Sequence, residues 1–244
     1  MKDGISIIIR TPSFTRLKSL LREMKDKSIL RCLEYERFTS LRLSGIILDF
    51  GGGAKANYKE KMMNWCNPKK KYIFESANIN PEIGPTYLVG RNETIPVDSE
   101  HFDVVISLNT FEHIYNLHNA FSEIYRILKN GGSLFFTVPF IFRVHGHPND
   151  YIRGTPSFWN KFLDTHGFKN IRIEALQWGP FSTALTISGI PGPFKSLRKK
   201  LAVFSDLFYF FWRHEQGKFI QKAQDASICS APLGYFISAN KELK

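Results

Sequence analysis

The stretch Ile46-Ile47-Leu48-Asp49-Phe50-Gly51-Gly52-Gly53 is a short apolar strand that empties directly into an acid and three glycines. A strand that is apolar on both faces belongs inside a parallel sheet covered by helices. Where such a strand ends, glycine lets the backbone approach a ligand closely because it carries no Cβ. The run therefore reads as the loop of a nucleotide-type cofactor, with Asp49 at the strand's finish.

Two later blocks fall at compatible spacing. Ile95-Pro96-Val97-Asp98 leads into Phe102-Asp103-Val104-Val105-Ile106-Ser107-Leu108, a strand that ends in the polar residues Asn109, Thr110, Glu112 and His113. A helical stretch then reaches Lys129-Asn130-Gly131-Gly132, and residues 133–138 form the next strand. Taken in order, the three blocks resemble the "LDxGxG", "lPfxdxsFDvvxxxxxlEHv" and "LkpGG" motifs of class I S-adenosylmethionine-dependent methyltransferases, in particular the type 11-like group. The resemblance spans roughly residues 46–175. A dinucleotide-binding dehydrogenase would carry a third glycine opening the helix and no Phe-Asp strand. The resemblance implies an α/β, Rossmann-like, doubly wound and mostly parallel seven-stranded sheet, with N-terminal helices and a C-terminal helical insertion. It also implies S-adenosyl-L-methionine as cofactor and methyl transfer as activity.

At 244 residues the chain is long enough to bury a sizeable core without disulfides. Cys32, Cys66 and Cys229 are odd in number and far apart, so no disulfide framework or zinc site is suggested and a reducing, cytoplasmic compartment is expected. The apolar run at residues 5–9 is too short for a signal-peptide core, and no stretch approaches the ~20 apolar residues of a membrane span. A soluble or peripheral protein is expected, the latter at the inner membrane face.

The net charge of +11 is uneven. Residues 1–44 carry +5, residues 190–223 carry +5, residues 45–189 carry +1, and residues 224–244 are neutral. Basic flanks around a nearly neutral centre suit an anionic partner or serve as a solvated face. Alternating basic and aromatic residues on one strand face, which would mark RNA binding, are absent, and nucleic acid is not expected.

Apolar spacing over residues 16–43 predicts one or two amphipathic helices ahead of the first strand. The chain then divides into an N-terminal helical cap (1–44), a cofactor-binding core (45–189), a basic aromatic helical segment (190–223) and a closing strand (224–244). Within the core, strands are expected at 46–50, 72–77, 87–89, 102–108, 133–138 and 168–176. Helices are expected at 58–66, 117–129 and 157–166, the second stopped by Gly131-Gly132. Residues 177–192 resist assignment. Lys195, Arg198, Lys199 and Lys200 precede Phe204, Leu207, Phe208, Phe210, Phe211 and Trp212. This segment is expected either to touch an anionic membrane surface or lipid-linked acceptor, or to pack on its own core or a second copy.

In the resembling fold Asp49, Gly51, Gly52 and Gly53 form the floor under the methionine part of the cofactor. The ribose is held by an acid at the second strand's end, for which Glu75 and Asn78 are the candidates, Glu75 slightly preferred. Asn92 and Glu93 are the candidates for adenine, and Asn109 follows the fourth strand. Glu112 and His113 either line the acceptor site or serve the start of the next helix.

Beyond the shared core, His145-Gly146-His147-Pro148-Asn149-Asp150-Tyr151-Ile152-Arg153-Gly154-Thr155-Pro156 lies in a long loop, and long loops inside compact domains are usually functional. It resembles the "H…P.DY.R.T" loop of methyltransferases found with polysaccharide and cell-surface glycan synthesis. That resemblance implies an acceptor hydroxyl on a sugar or glycan intermediate, with other anionic, phosphorylated or lipid-linked small molecules as the alternative. A module that keeps the fold without transferring methyl is the non-enzymatic alternative. His145, His147 and His113 are the candidate bases, since histidine accepts a proton at neutral pH. Asp150, Tyr151 and Arg153 are candidate acceptor contacts, Arg153 either gripping an acceptor anion or pairing with Asp150. His145 and His147 have a spacing two metal ligands could use and Asp150 lies close by, yet no further ligand cluster is visible and no metal is expected.

Overall fold

The computed structural model describes residues 7–25, 27–146, 149–215 and 232–243. Eight strands form one sheet: β1 (Ile7–Ile9), β2 (Gly45–Phe50), β3 (Tyr72–Asn78), β4 (Tyr87–Leu88), β5 (Phe102–Leu108), β6 (Leu128–Pro139), β7 (Phe168–Leu176) and β8 (Gly234–Lys241). Their spatial order is β1-β7-β8-β6-β5-β2-β3-β4. All pairings are parallel except those of β8 with β6 and β7. From β2 the chain winds outward through β3 and β4, then returns to place β5 on β2's other edge. A ligand crevice forms at such a reversal, outside the carboxyl ends of the strands.

Among the described residues seven α-helices cover the sheet: α1 (Phe14–Glu23), α2 (Ile29–Thr39), α3 (Lys59–Met62), α4 (Leu117–Ile127), α5 (Pro156–Thr165), α6 (Pro180–Ile187) and α7 (Lys195–Glu215). Period-two alternation assigns strand residues to the two faces. Ile47, Val104 and Ile106 pack with Leu20, Leu33 and Phe38 of α1 and α2 and with Val203 and Leu207 of α7. Leu48, Val105, Leu134 and Phe136 pack instead with Phe121 and Ile124 of α4 and Trp159 and Leu163 of α5. Helix starts follow local chemistry: the Ser13, Ser28, Asn116 and Thr155 side chains each accept a backbone N–H of the first turn.

The sheet has one strand more than the sequence suggests. Ile7–Ile9, the short apolar run near the start, adds to the edge beside β7 and brings the sheet from seven strands to eight. Helix α4 stops at Ile127, two residues before the expected end. Leu128 is already extended and pairs with Phe102, so Gly131, at φ +76°, turns the chain inside β6 and does not cap a helix. The unassigned stretch contains α6. Its N-terminus carries no cap of its own; Asp206 of α7 supplies one, accepting the Phe181 and Ser182 amides at 2.8 Å each.

Helix α7 splits the basic aromatic segment into two faces. Val203, Leu207 and Phe210 are buried, and Lys199 points inward, donating to the Met24 and Lys27 carbonyls at 2.8 and 3.1 Å. Leu197, Leu201, Phe204, Phe208 and Trp212 form an exposed stripe along the other face. No helix among the described residues is long and apolar enough to cross a membrane. Cys229 lies outside the described residues.

Candidate functional site

Strand β2 lies between β3 and β5 and buries Asp49 completely. Burial pushes its carboxyl up to about 7, against the opposing hydrogen bond from Tyr58 and the charge of Lys59. Tyr58, which the sequence reading did not single out, donates its hydroxyl to both Asp49 oxygens at 3.1 and 3.2 Å. The loop above has no room for side chains. A Cβ on Gly51, where φ is +93°, would fall 2.1 Å from Thr110 Oγ1, one on Gly52 1.8 Å from Asp49 Oδ2, and one on Gly53 2.5 Å from the Ile83 carbonyl. What remains along the strand end is bare backbone over a buried carboxylate.

The two ribose candidates separate. Asn78 ends β3 and donates its side-chain amide to the Gly51 carbonyl, which brings it to the loop. Glu75 stands three residues earlier and is engaged elsewhere, accepting the Tyr87 hydroxyl at 2.6 Å and lying 3.7 Å from His101 Nε2. Of the two candidates, Asn78 is therefore the one that reaches the glycine loop. Beyond β4, Asn92 adopts φ +64° and Glu93 closes the same turn by accepting the Gly90 amide at 2.7 Å. Both are exposed.

Asn109 follows β5 at φ +49° and joins three elements. Its amide donates to Glu34 Oε1 at 2.7 Å, and its carbonyl oxygen accepts the Thr137 hydroxyl of β6 at 3.3 Å. Glu34 sits on α2, fully buried, with Arg31 at 3.2 Å. Burial pushes its carboxyl up, and Arg31, Asn109 and Thr137 oppose the rise. The signal for Glu34 was in the sequence: it occupies the buried stripe of α2 between Leu30 and Phe38, where a charge is out of place without a task or a partner.

The next residues form the second half of the site. Glu112, in a single 3-10 turn (Phe111–His113), is fully buried. Burial, with the nearby Glu34 charge, pushes its carboxyl up to about 8. His113 Nε2 and His145 Nε2 lie 3.6 and 3.9 Å from Glu112 Oε1, and the two rings meet edge to face at 5.1 Å. Their Nδ1 atoms contact the Asn149 carbonyl at 2.5 Å and the Arg143 carbonyl at 3.1 Å. A carbonyl only accepts, so Nδ1 carries a proton in both rings, and both Nε2 atoms lie on the Glu112 side.

The long loop is stitched onto this turn, the Tyr151 amide donating to the Glu112 carbonyl at 2.7 Å. Asp150 accepts the His145 amide at 3.0 Å and a forked contact from Arg153. Burial alone would raise the Asp150 carboxyl, but Arg153 and the His145 amide outweigh it and hold it below the ordinary range. Of the two roles open to Arg153, pairing with Asp150 is the one the fold makes. Beside the cluster the exposed rings of Tyr115 and Tyr151 meet at 5.5 Å. His147 lies outside the described residues. Glu112 and His113, which the sequence does not place near His145, are brought to it from the end of β5.

Residues 54–136 match a family model described as a methyltransferase domain. Sarcosine/dimethylglycine N-methyltransferase of Halorhodospira halochloris is 27% identical over 150 residues, covering 52% of this chain and 53% of that protein. The chain thus spans about half the length of that curated relative. Among solved structures, a SAM-dependent methyltransferase from Archaeoglobus fulgidus superposes with a TM-score of 0.52 at 15% identity, over 87% of this chain and 92% of that one. Phosphoethanolamine N-methyltransferase 2 of Haemonchus contortus, in complex with S-adenosyl-L-methionine, superposes with a TM-score of 0.50 at 15% identity, over 96% of this chain and 54% of that one. With its sheet order, its strand-end glycine loop and these neighbours, the chain has the class I methyltransferase fold.

Proposed function

We propose that the chain is an S-adenosylmethionine-dependent methyltransferase whose acceptor is a hydroxyl of a sugar or glycan intermediate. The observation that carries the reading is the adjacency of two strand ends. The end of β2 offers a glycine loop over a buried carboxylate, and the end of β5 offers Glu112 and His113 with His145 folded against them.

The residues at the first strand end fit the cofactor. Gly51, Gly52 and Gly53 would floor its methionine part, Asp49 would face its amino group, and Asn78 would hold the ribose, with Asn92 and Glu93 beside the adenine. Asp49 matters most, because a fully buried carboxyl that gains a cationic partner recovers the cost of its ionisation. Bound there, S-adenosylmethionine supplies an electrophilic methyl group on sulfur.

The chain's own part is to hold the acceptor oxygen in line and to accept its proton. His145 Nε2 is the proton acceptor, with His113 beside it and Glu112 behind both. Asp150 and Arg153 fix the His145 backbone. The exposed Tyr115 and Tyr151 rings supply an apolar platform with hydroxyl tips, which suits the C–H faces and rim hydroxyls of a sugar.

The test is product analysis. With methyl-labelled cofactor and a panel of sugar phosphates, lipid-linked sugars and small amines, the label is expected on a sugar oxygen. Labelling of sarcosine or phosphoethanolamine nitrogen, with no sugar labelled, would move the acceptor to the amines that name the relatives. The same panel covers the phosphorylated and lipid-linked alternatives.

A further inference from the structure

We propose that Glu112, His113 and His145 hold one divalent transition-metal cation. One carboxylate oxygen and one nitrogen of each ring lie within 4.8 Å of one another. Two ligands of a tetrahedral zinc ion stand roughly 3.3 Å apart, given metal–ligand bonds of about 2.0–2.1 Å. The separations of 3.6 and 3.9 Å from Glu112 Oε1 to the two Nε2 atoms need only small side-chain rotations to meet that figure. They are too long for hydrogen bonds.

Three further features point to an ion. Both Glu112 carboxyl oxygens are buried without a hydrogen-bond partner among the described residues, and a buried polar group in that condition calls for a bridging water or an ion. Each ring uses Nδ1 on a backbone carbonyl, and His145 Nδ1 also lies 3.4 Å from Asp150 Oδ2. Such outer contacts fix tautomer and ring plane in metal-ligating histidines. Finally, Tyr151 and Asn149 tie the long loop to the 3-10 turn by backbone, so the ligands are gathered before any ion arrives.

Two imidazoles and one carboxylate select a first-row transition ion over magnesium or calcium, which want oxygen throughout. Three protein ligands leave the remaining position for an oxygen of the acceptor. The inference rests on the methyltransferase reading for that last point only. A bound cation would acidify the acceptor hydroxyl, whose proton would then pass to water; in the ion-free protein His145 keeps the part of base proposed above.

The experiment is zinc titration of the chelator-treated chain by calorimetry, with cobalt substitution read by its visible spectrum. One equivalent is expected at micromolar affinity or tighter, with a tetrahedral cobalt spectrum. Glu112→Gln and His145→Gln should each weaken zinc at least ~10²-fold, with binding of S-adenosylhomocysteine unchanged as the control for folding. Stoichiometry below one equivalent at 100 μM zinc, or undiminished affinity in the Glu112→Gln/His145→Gln double variant, would overturn the metal site. S-adenosylhomocysteine binding without zinc binding would defeat this inference and leave the cofactor reading standing; zinc binding without S-adenosylhomocysteine binding would do the reverse.

Discussion

Replacing Asp49 with asparagine separates the cost of this residue from its use. In the folded chain its carboxyl titrates at about 7, against an ordinary 3.8. Below about pH 4 both folded and unfolded chains hold the proton and the group has no effect on stability. As pH rises through the window from 4 to 7 the unfolded chain releases its proton while the folded one keeps it, so stability falls; above 7 the loss levels off. Three units at about 1.36 kcal/mol each set the full effect near ~4 kcal/mol. Asparagine removes the titration and keeps the shape, and the groups facing it, Tyr58 and Lys59, are unchanged. Urea denaturation of cofactor-free protein at pH 4, 6 and 8 should show the variant gaining on the wild type as pH rises, by up to ~4 kcal/mol between the extremes. The variant should also lose affinity for S-adenosylhomocysteine by roughly 10- to 100-fold, the worth of one charge-assisted hydrogen bond. A stability difference that does not change with pH would refute the burial argument, and unchanged affinity would remove Asp49 from the cofactor site.

Three other outcomes follow from the same structure. His145→Ala should lower turnover by about 10²-fold with little change in cofactor affinity, whether the ring acts as base or as ligand; wild-type turnover would exclude both. Asp206→Ala strips the cap from α6 and should cost about 1–2 kcal/mol in chemical denaturation, and a loss within ~0.5 kcal/mol would mean the two amides find water instead. The outward stripe of α7, flanked by Lys195, Arg198 and Lys200, should bind anionic vesicles in flotation at low salt and release them at high salt. A Phe208→Glu/Trp212→Glu variant should not bind. If the wild type fails to float and runs as a dimer that this variant splits, the stripe is a contact between copies.

What the sequence disclosed was local in kind. The strand-acid-glycine run placed β2 and its loop because burial on both faces and a side-chain-free turn are written in consecutive residues. The same holds for β5, β7 and the helices with period-3.6 stripes. Hidden features depend on distant partners. Glu34 and Asn109 are 75 positions apart, and only the packing of α2 over the end of β5 makes them neighbours. Tyr58 is one aromatic among many until α3 sets its hydroxyl on Asp49. Spacing alone favours Glu75 for the ribose, because the sequence does not say that Tyr87 and His101 contact it three residues before the strand ends. Strand β1 escaped notice since three apolar residues gain a partner only from β7, more than 160 positions away. The grouping of Glu112, His113 and His145 likewise arises from the loop's backbone pairing with the 3-10 turn.

The most direct measurement is a crystal structure of the full chain with S-adenosylhomocysteine. The ligand is expected across the carboxyl ends of β2 and β3, its amino group at Asp49, its backbone contacts on Gly51 to Gly53, its ribose at Asn78, and its sulfur turned toward Glu112, His113 and His145. Occupied density elsewhere on the molecule, or a ligand whose sulfur faces away from those three residues, would contradict it.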